Sequence, residues 1–161
     1  QNKSLLSYLP NNTILTPHPK ELERLIGVWK NDYDKLEIAS NFCKEHNIIL
    51  VIKGTHTVII DGESMSFNST GNPALATAGS GDVLTGLITG LLAQGYEPKH
   101  AAIFGVYLHG KTADIAVQET SFETFTASAI LEYLADAILD LFNQEKIEDA
   151  EGKNNEPSSE A

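Results

Sequence analysis

The stretch TAGSGDVLTG, residues 77–86, sets a serine between two glycines and then delivers a lone aspartate into an apolar run. Val83, Leu84, Leu87, Ile88, Leu91 and Leu92 follow at helical spacing, so Asp82 stands where a loop becomes a helix. Successive N–H groups in a glycine-containing turn form a concavity that binds anions, and a helix N-terminus adds about half a unit of positive charge. No β-carbon at Gly79 or Gly81 blocks a phosphate approaching the backbone around Ser80. Asp82 could then take a proton from a hydroxyl while the loop stabilises a transferring phosphoryl group. A plainer reading is equally open: Asp82 caps the helix and the glycines merely turn the chain. The loop is not a Walker A motif, because no Gly-Lys-Ser/Thr follows at the required spacing.

Two further clusters lie where strands should end. Leu15-Thr16-Pro17-His18-Pro19-Lys20-Glu21 follows a short apolar segment, and its prolines would hold His18 with little conformational freedom. In open α/β sheets the carboxyl ends of strands are where ligands bind. His18 could instead cap the next helix, and the helix dipole alone accounts for Glu21 in its first turn. Lys53-Gly54-Thr55-His56-Thr57 directly follows the run Ile48–Ile52. A lysine there, beside glycine and hydroxyls, could meet nucleotide phosphates, or the segment could be a polar loop before a hairpin. His100 and His109 share a helical stretch without the spacing of a metal pair, so each reads as solvated or packed.

The elements that must position these clusters read as α/β. Thr13–Thr16 is a strand candidate; a helix opens near Glu21 and ends by Gly27, and Asn31-Asp32 can cap a second running to about His46. Ile48–Ile52, β-branched and nearly continuous, suits a strand buried on both faces. A hairpin follows, Thr57–Ile60 and Ser64–Phe67 around Asp61-Gly62. Helices are then expected from about Asp82 to Ala93, from Pro98 towards Val117, and from Thr126 or Ala127 to Phe142. The one starting at Pro98 has apolar residues on more than one face and is a candidate homo-oligomer interface. Two central strands and a hairpin are few for so many helices, so strands are expected to be missing. The start at Gln1 rather than Met agrees with a piece of a longer protein.

Composition narrows the function classes. The 161 residues are 42% hydrophobic, enough for one domain with a core. A net charge of −11 argues against a nucleic-acid surface. Six acidic residues against two lysines fall in 144–161, which reads as an acidic flexible tail behind a domain spanning 1–143. A single cysteine, Cys43, permits no intrachain disulfide and fits a reducing cytoplasmic setting; its neighbours suggest a buried thiol. No apolar run approaches membrane-spanning length.

On these clusters the chain resembles the ribokinase-like superfamily and, within it, the ADP/ATP-dependent NAD(P)H-hydrate dehydratases, also called YjeF C-terminal domains. The superfamily's Gly-x-Gly-Asp loop matches Gly79-Ser80-Gly81-Asp82, and its Thr-Pro-Asn-x-x-Glu segment matches Thr16-Pro17-His18-Pro19-Lys20-Glu21 in the dehydratase form, with His-Pro in place of Asn-x. GNPALATAGSGDVLTGLITGLLAQG, residues 71–95, is the most specific element. Sugar kinases open this loop with Asp-Thr where Ala76-Thr77 stands here, which points away from sugars.

The resemblance implies a three-layer α/β/α sandwich with a mainly parallel central sheet, of which this chain is the C-terminal part. It implies dehydration of the hydrated nicotinamide nucleotides NADHX and NADPHX: the ring hydroxyl is phosphorylated from ADP or ATP with Mg2+, and phosphate then leaves. Asp82 is the implied catalytic base and shares substrate contacts with His18. Lys53, Gly54, Thr55, His56 and Thr57, with Gly79, Ser80 and Gly81, are implied at the nucleotide. Magnesium would be held largely by phosphate oxygens and water, with Glu21 as an outer-shell candidate. A homo-oligomer is expected, and an attached or associated epimerase domain. The alternatives are a vitamin-pathway kinase of the same superfamily, acting on hydroxymethylpyrimidine, hydroxyethylthiazole or pyridoxal, and a non-catalytic nucleotide-binding module.

Overall fold

The computed structural model describes residues 3–143, so the expected tail at 144–161 lies outside the described residues. Four strands, β1 (Thr13–Leu15), β2 (Ile48–Ile52), β3 (Val58–Ile60) and β4 (Met65–Phe67), lie in that order across one sheet. β1 and β2 are parallel, with Ile14 opposite Ile49; β2, β3 and β4 run antiparallel to one another in turn. Only the β1–β2 pair is parallel and the other two pairings are antiparallel, so the described sheet is mixed rather than mainly parallel: the hairpin after β2 returns the chain along the same edge. Asp61 closes that hairpin by accepting the N–H groups of Glu63 and Ser64 (3.0 and 2.7 Å).

Helices cover both faces. α1 (Pro19–Ile26) and α2 (Asp32–His46) connect β1 to β2; α3 (Ser80–Ala93), α4 (Pro98–Glu119) and α5 (Ala127–Glu132) follow the hairpin. β2 is buried throughout, and its alternation assigns the layers. Ile48, Leu50 and Ile52 face Leu22 of α1 and Ala39 and Cys43 of α2, while Ile49 and Val51 face Leu84 and Ile88 of α3 and Ala102 and Val106 of α4. Each of the Ile, Leu and Val side chains among them contributes about 1.5–3 kcal/mol when withdrawn from water.

Helix starts depart from expectation by two residues, for identifiable reasons. α1 begins at Pro19 because His18 is its cap, and α3 begins at Ser80 because Gly79 is. The last expected helix is interrupted: α5 stops before Tyr133 (φ −94°, ψ 7°), whose hydroxyl donates to Glu119 of α4 (3.1 Å), and residues 134–143 resume the helix. The several apolar faces of α4 are covered within the chain, by α3, α5 and the sheet. No helix among the described residues is long and apolar enough to cross a membrane.

Candidate functional site

A cleft of about 650 Å³ opens where β2 ends and α3 begins. Of the residues anticipated at a nucleotide, Lys53, Gly54, Thr55, Thr57, Ser80 and Gly81 line it. His56 is exposed outside the lining; Gly79 and Asp82 stand beside the lining residues Ser80 and Gly81.

The start of α3 decides between the two readings of Asp82. Gly79 is the N-cap, in the left-handed conformation (φ 85°) that a side chain disfavours, and it contributes no side-chain cap. Asp82 is thus not the cap. It lies in the first helical turn, exposed, and its carboxylate has no hydrogen bond or ion pair among the described residues. The Gly79 carbonyl accepts from Asp82 and Val83 (3.0 and 3.1 Å), whereas the Gly81 N–H has no acceptor among them. Such orphan donors are intrinsic to helix starts. Half-buried Lys53 adds a full positive charge here: a β-carbon on Gly81 would stand 3.2 Å from its Nζ. Lys53 has no carboxylate partner among the described residues. An ammonium, a helix N-terminus and an N–H without an acceptor among the described residues converge here.

The His18 turn is brought alongside. Thr16 Oγ1, just beyond β1, lies 3.2 Å from Thr85 Oγ1, one turn after Asp82 on α3. His18 itself behaves as the plainer reading anticipated. Its Nδ1 accepts the N–H groups of Lys20 and Glu21 (3.2 and 3.4 Å), and Glu21 Oε2 accepts the His18 N–H (2.9 Å), a reciprocal capping box. With Nδ1 an acceptor, the ring proton sits on Nε2, 3.2 Å from Glu21 Oε1. Both Glu21 oxygens are therefore engaged by His18. The imidazole is half-exposed, and it is the neighbouring Pro19 that lines the cleft.

Sequence reasoning missed the far wall. Asn68, Thr70 and Asn72, in the loop after β4, line the cleft and are held by α4. Thr70 Oγ1 donates to the Tyr107 carbonyl (2.9 Å), and Asp114 accepts the Gly71 N–H and the Asn72 amide (2.8 and 2.9 Å). Gly110 lets this loop approach, since a β-carbon there would come within 2.7 Å of the Thr70 carbonyl carbon. His109, read as a packed or solvated histidine, is packed but also lines the cleft. A usable signal was the small-residue face of α4 (Ala102, Gly105, Ala113), in which His109 falls at helical spacing beside Gly110.

Cys43 is buried, as its neighbours suggested. Burial pushes the Cys43 thiol up to about 12, helped by the Asp61 charge against a hydrogen bond at Leu50, so it is inert as a nucleophile. No group of three or more His, Cys, Asp or Glu among the described residues is arranged to hold a metal.

Residues 1–136 match the family profile described as NAD(P)H-hydrate dehydratase. The chain is 46% identical over 125 residues to the bifunctional NAD(P)H-hydrate repair enzyme Nnr of Moorella thermoacetica, covering 75% of this chain and 23% of that one. It is 42% identical over 125 residues to the ADP-dependent (S)-NAD(P)H-hydrate dehydratase of Bacillus subtilis, covering 75% and 45%. A crystal structure of the Bacillus subtilis ADP/ATP-dependent NAD(P)H-hydrate dehydratase, co-crystallised with ATP and Mg2+, superposes with a TM-score of 0.70 at 36% identity, over 82% of this chain and 50% of that one. The chain thus spans less than half the length of these curated relatives.

Proposed function

Because the chain belongs to the NAD(P)H-hydrate dehydratase family, we propose that it forms the phosphoryl-binding and proton-abstracting portion of an ADP- or ATP-dependent enzyme that dehydrates (6S)-NADHX and (6S)-NADPHX. The observation carrying this reading is the Lys53 ammonium against Gly81, at the positive end of α3, with the Asp82 carboxylate one residue on, neither having a partner among the described residues.

The roles follow from charge and donor type. Hydroxide is a poor leaving group, so converting the ring hydroxyl to a phosphate ester gives the elimination a better one. Asp82, which is not the cap and has no counter-ion among the described residues, accepts the hydroxyl proton as the oxygen attacks phosphorus. The Gly81 N–H and the α3 N-terminus stabilise charge on the phosphoryl oxygens, and Lys53 neutralises the nucleotide phosphates. Gly54, Thr55 and Thr57, with Gly79 and Ser80, complete the nucleotide side, and His56 borders it. His18, its ring steadied by Glu21, orients the hydrated nicotinamide next to Asp82.

The residues present fit a nucleotide phosphate, for which the missing β-carbon at Gly81 leaves space beside an ammonium. No group of acidic residues among the described ones offers a cage for Mg2+, and both Glu21 oxygens are engaged by His18, so the ion would have to be carried by phosphate oxygens and water. When bound, Mg2+ would neutralise charge on the transferring phosphoryl group.

The word bifunctional in the name of the Moorella relative supports a second activity joined to or associated with this one, for which we propose an epimerase. The single, buried cysteine supports a cytoplasmic setting. We retain residues 1–143 as the domain portion and 144–161 as an acidic tail; a homo-oligomer would have to use a surface other than the apolar faces of α4, which are covered within the chain.

Incubating the full-length protein with nucleotide, Mg2+ and hydrated NADH tests the reading. Regained absorbance of reduced nicotinamide supports it. A stable phosphorylated product from hydroxymethylpyrimidine, hydroxyethylthiazole or pyridoxal would replace it with a kinase, and binding of ADP without turnover would replace it with a binding module.

A further inference from the structure

We propose that His109 is a positioning residue: held inside α4, it donates its Nε2–H to the Ser80 carbonyl and so sets the direction of the Gly81 N–H and the Asp82 carboxylate. His109 Nε2 lies 2.9 Å from the Ser80 carbonyl oxygen and 3.1 Å from Ser80 Oγ. A carbonyl oxygen only accepts, so the contact requires the proton on Nε2. The ring is thereby a donor to the residue directly before Gly81 and Asp82, 29 positions away in the chain.

Burial argues that this bond is built for a purpose beyond filling space. His109 is 8% exposed and Ser80 4%. Imidazole at such a site is costly unless hydrogen-bonded, and an apolar side chain would fill the volume without that cost. Withdrawal from water lowers the His109 pKa, the Lys53 charge acts in the same direction, and the Ser80 carbonyl partly opposes both. The ring therefore stays neutral and keeps one defined donor. Its base is rigid, because the same stretch of α4 grips the opposite wall through Tyr107, Gly110 and Asp114. One helical segment thus sets the spacing between the Thr70–Asn72 loop and the start of α3. The catalytic consequence rests on the function proposed above; the positioning itself does not.

The full-length protein and its His109→Leu and His109→Gln variants test this. Leucine fills the volume without a donor, and glutamine restores an N–H near the same place. We expect His109→Leu to speed amide hydrogen exchange across residues 79–83 by about tenfold or more, with β2 unchanged. Its kcat should fall about 10–100-fold while KM for nucleotide moves less than about threefold, and His109→Gln should recover most of both losses. Nitrogen NMR of the unmutated imidazole should find the proton on Nε2. A proton on Nδ1 overturns the proposal, as does unchanged exchange at 79–83. So does a loss shared equally by both variants and spread over the whole core with a lowered melting midpoint. Exchange and tautomer need no turnover, so an enzyme inactive on NADHX removes the proposed function and leaves this assignment standing.

Discussion

Lys53 and Gly81 face each other across 28 residues of sequence, close enough that a β-carbon on Gly81 would stand 3.2 Å from the lysine Nζ. The glycine keeps an ammonium beside an N–H that has no acceptor among the described residues. Lys53→Met is expected to weaken ADP binding about 10–100-fold, the range for a charge-assisted hydrogen bond, and the gap should narrow with added salt. Calorimetric titration at low and high salt checks both. Gly81→Ala should weaken ADP binding in the same direction while leaving the melting midpoint equal or higher, since alanine favours the helix.

Asp82→Asn keeps the shape of the first turn and removes its base. Turnover is expected to drop about 10²–10⁴-fold with nucleotide affinity retained or improved, because a carboxylate near the phosphates is gone. Single-turnover kinetics alongside ADP titration separate the two. Near-normal turnover would end the base assignment.

Two α-helical glycines should respond oppositely to alanine. At Gly110 the new β-carbon meets the Thr70 backbone, which cannot rotate aside, so about 1–3 kcal/mol of stability should be lost and the Thr70–Asn72 wall displaced. At Gly86 nothing lies within 4 Å, and about 0.5–1 kcal/mol should be gained. Denaturant unfolding of the two variants gives the signs.

Asp61 supplies a pH dependence. Partial burial opposes its ionisation, but the Lys99 ammonium at 2.8 Å and the N–H groups of Ser64 and Glu63 outweigh that and hold its pKa at about 2. A carboxyl lowered on folding stabilises above its unfolded pKa, about 3.9, and that contribution disappears as pH falls through about 2. Asp61→Asn should therefore cost about 1 kcal/mol near neutrality, discounted for the partly exposed Lys99, and the difference from the unmutated protein should close between about pH 4 and pH 2. Melting curves at stepped pH measure it.

Much of the fold was legible because its signals are local. Five consecutive apolar residues announced a strand buried on both faces, and Asn31 and Gly27 marked helix ends where they were expected. The Gly-Ser-Gly-Asp loop was recognisable, yet its helix was placed two residues late, because a left-handed glycine cap leaves no side-chain signature. The break at Tyr133 was invisible, since periodicity continues through it.

The site divides along the same line. Backbone propensity, apolar period and capping chemistry act over a few residues, so the sequence alone determined the layers, the loop at Gly79–Asp82 and the strand end that presents Lys53. Only the tertiary structure decided which polar groups meet. It tied His18 to the start of its own helix, left Asp82 without a partner among the described residues, set Lys53 against Gly81 and placed His109 beneath Ser80. A hydrogen bond or charge contact depends on about 3 Å of separation. Such separations between distant segments are set by how helices and sheet pack, which spacing along a single chain does not encode.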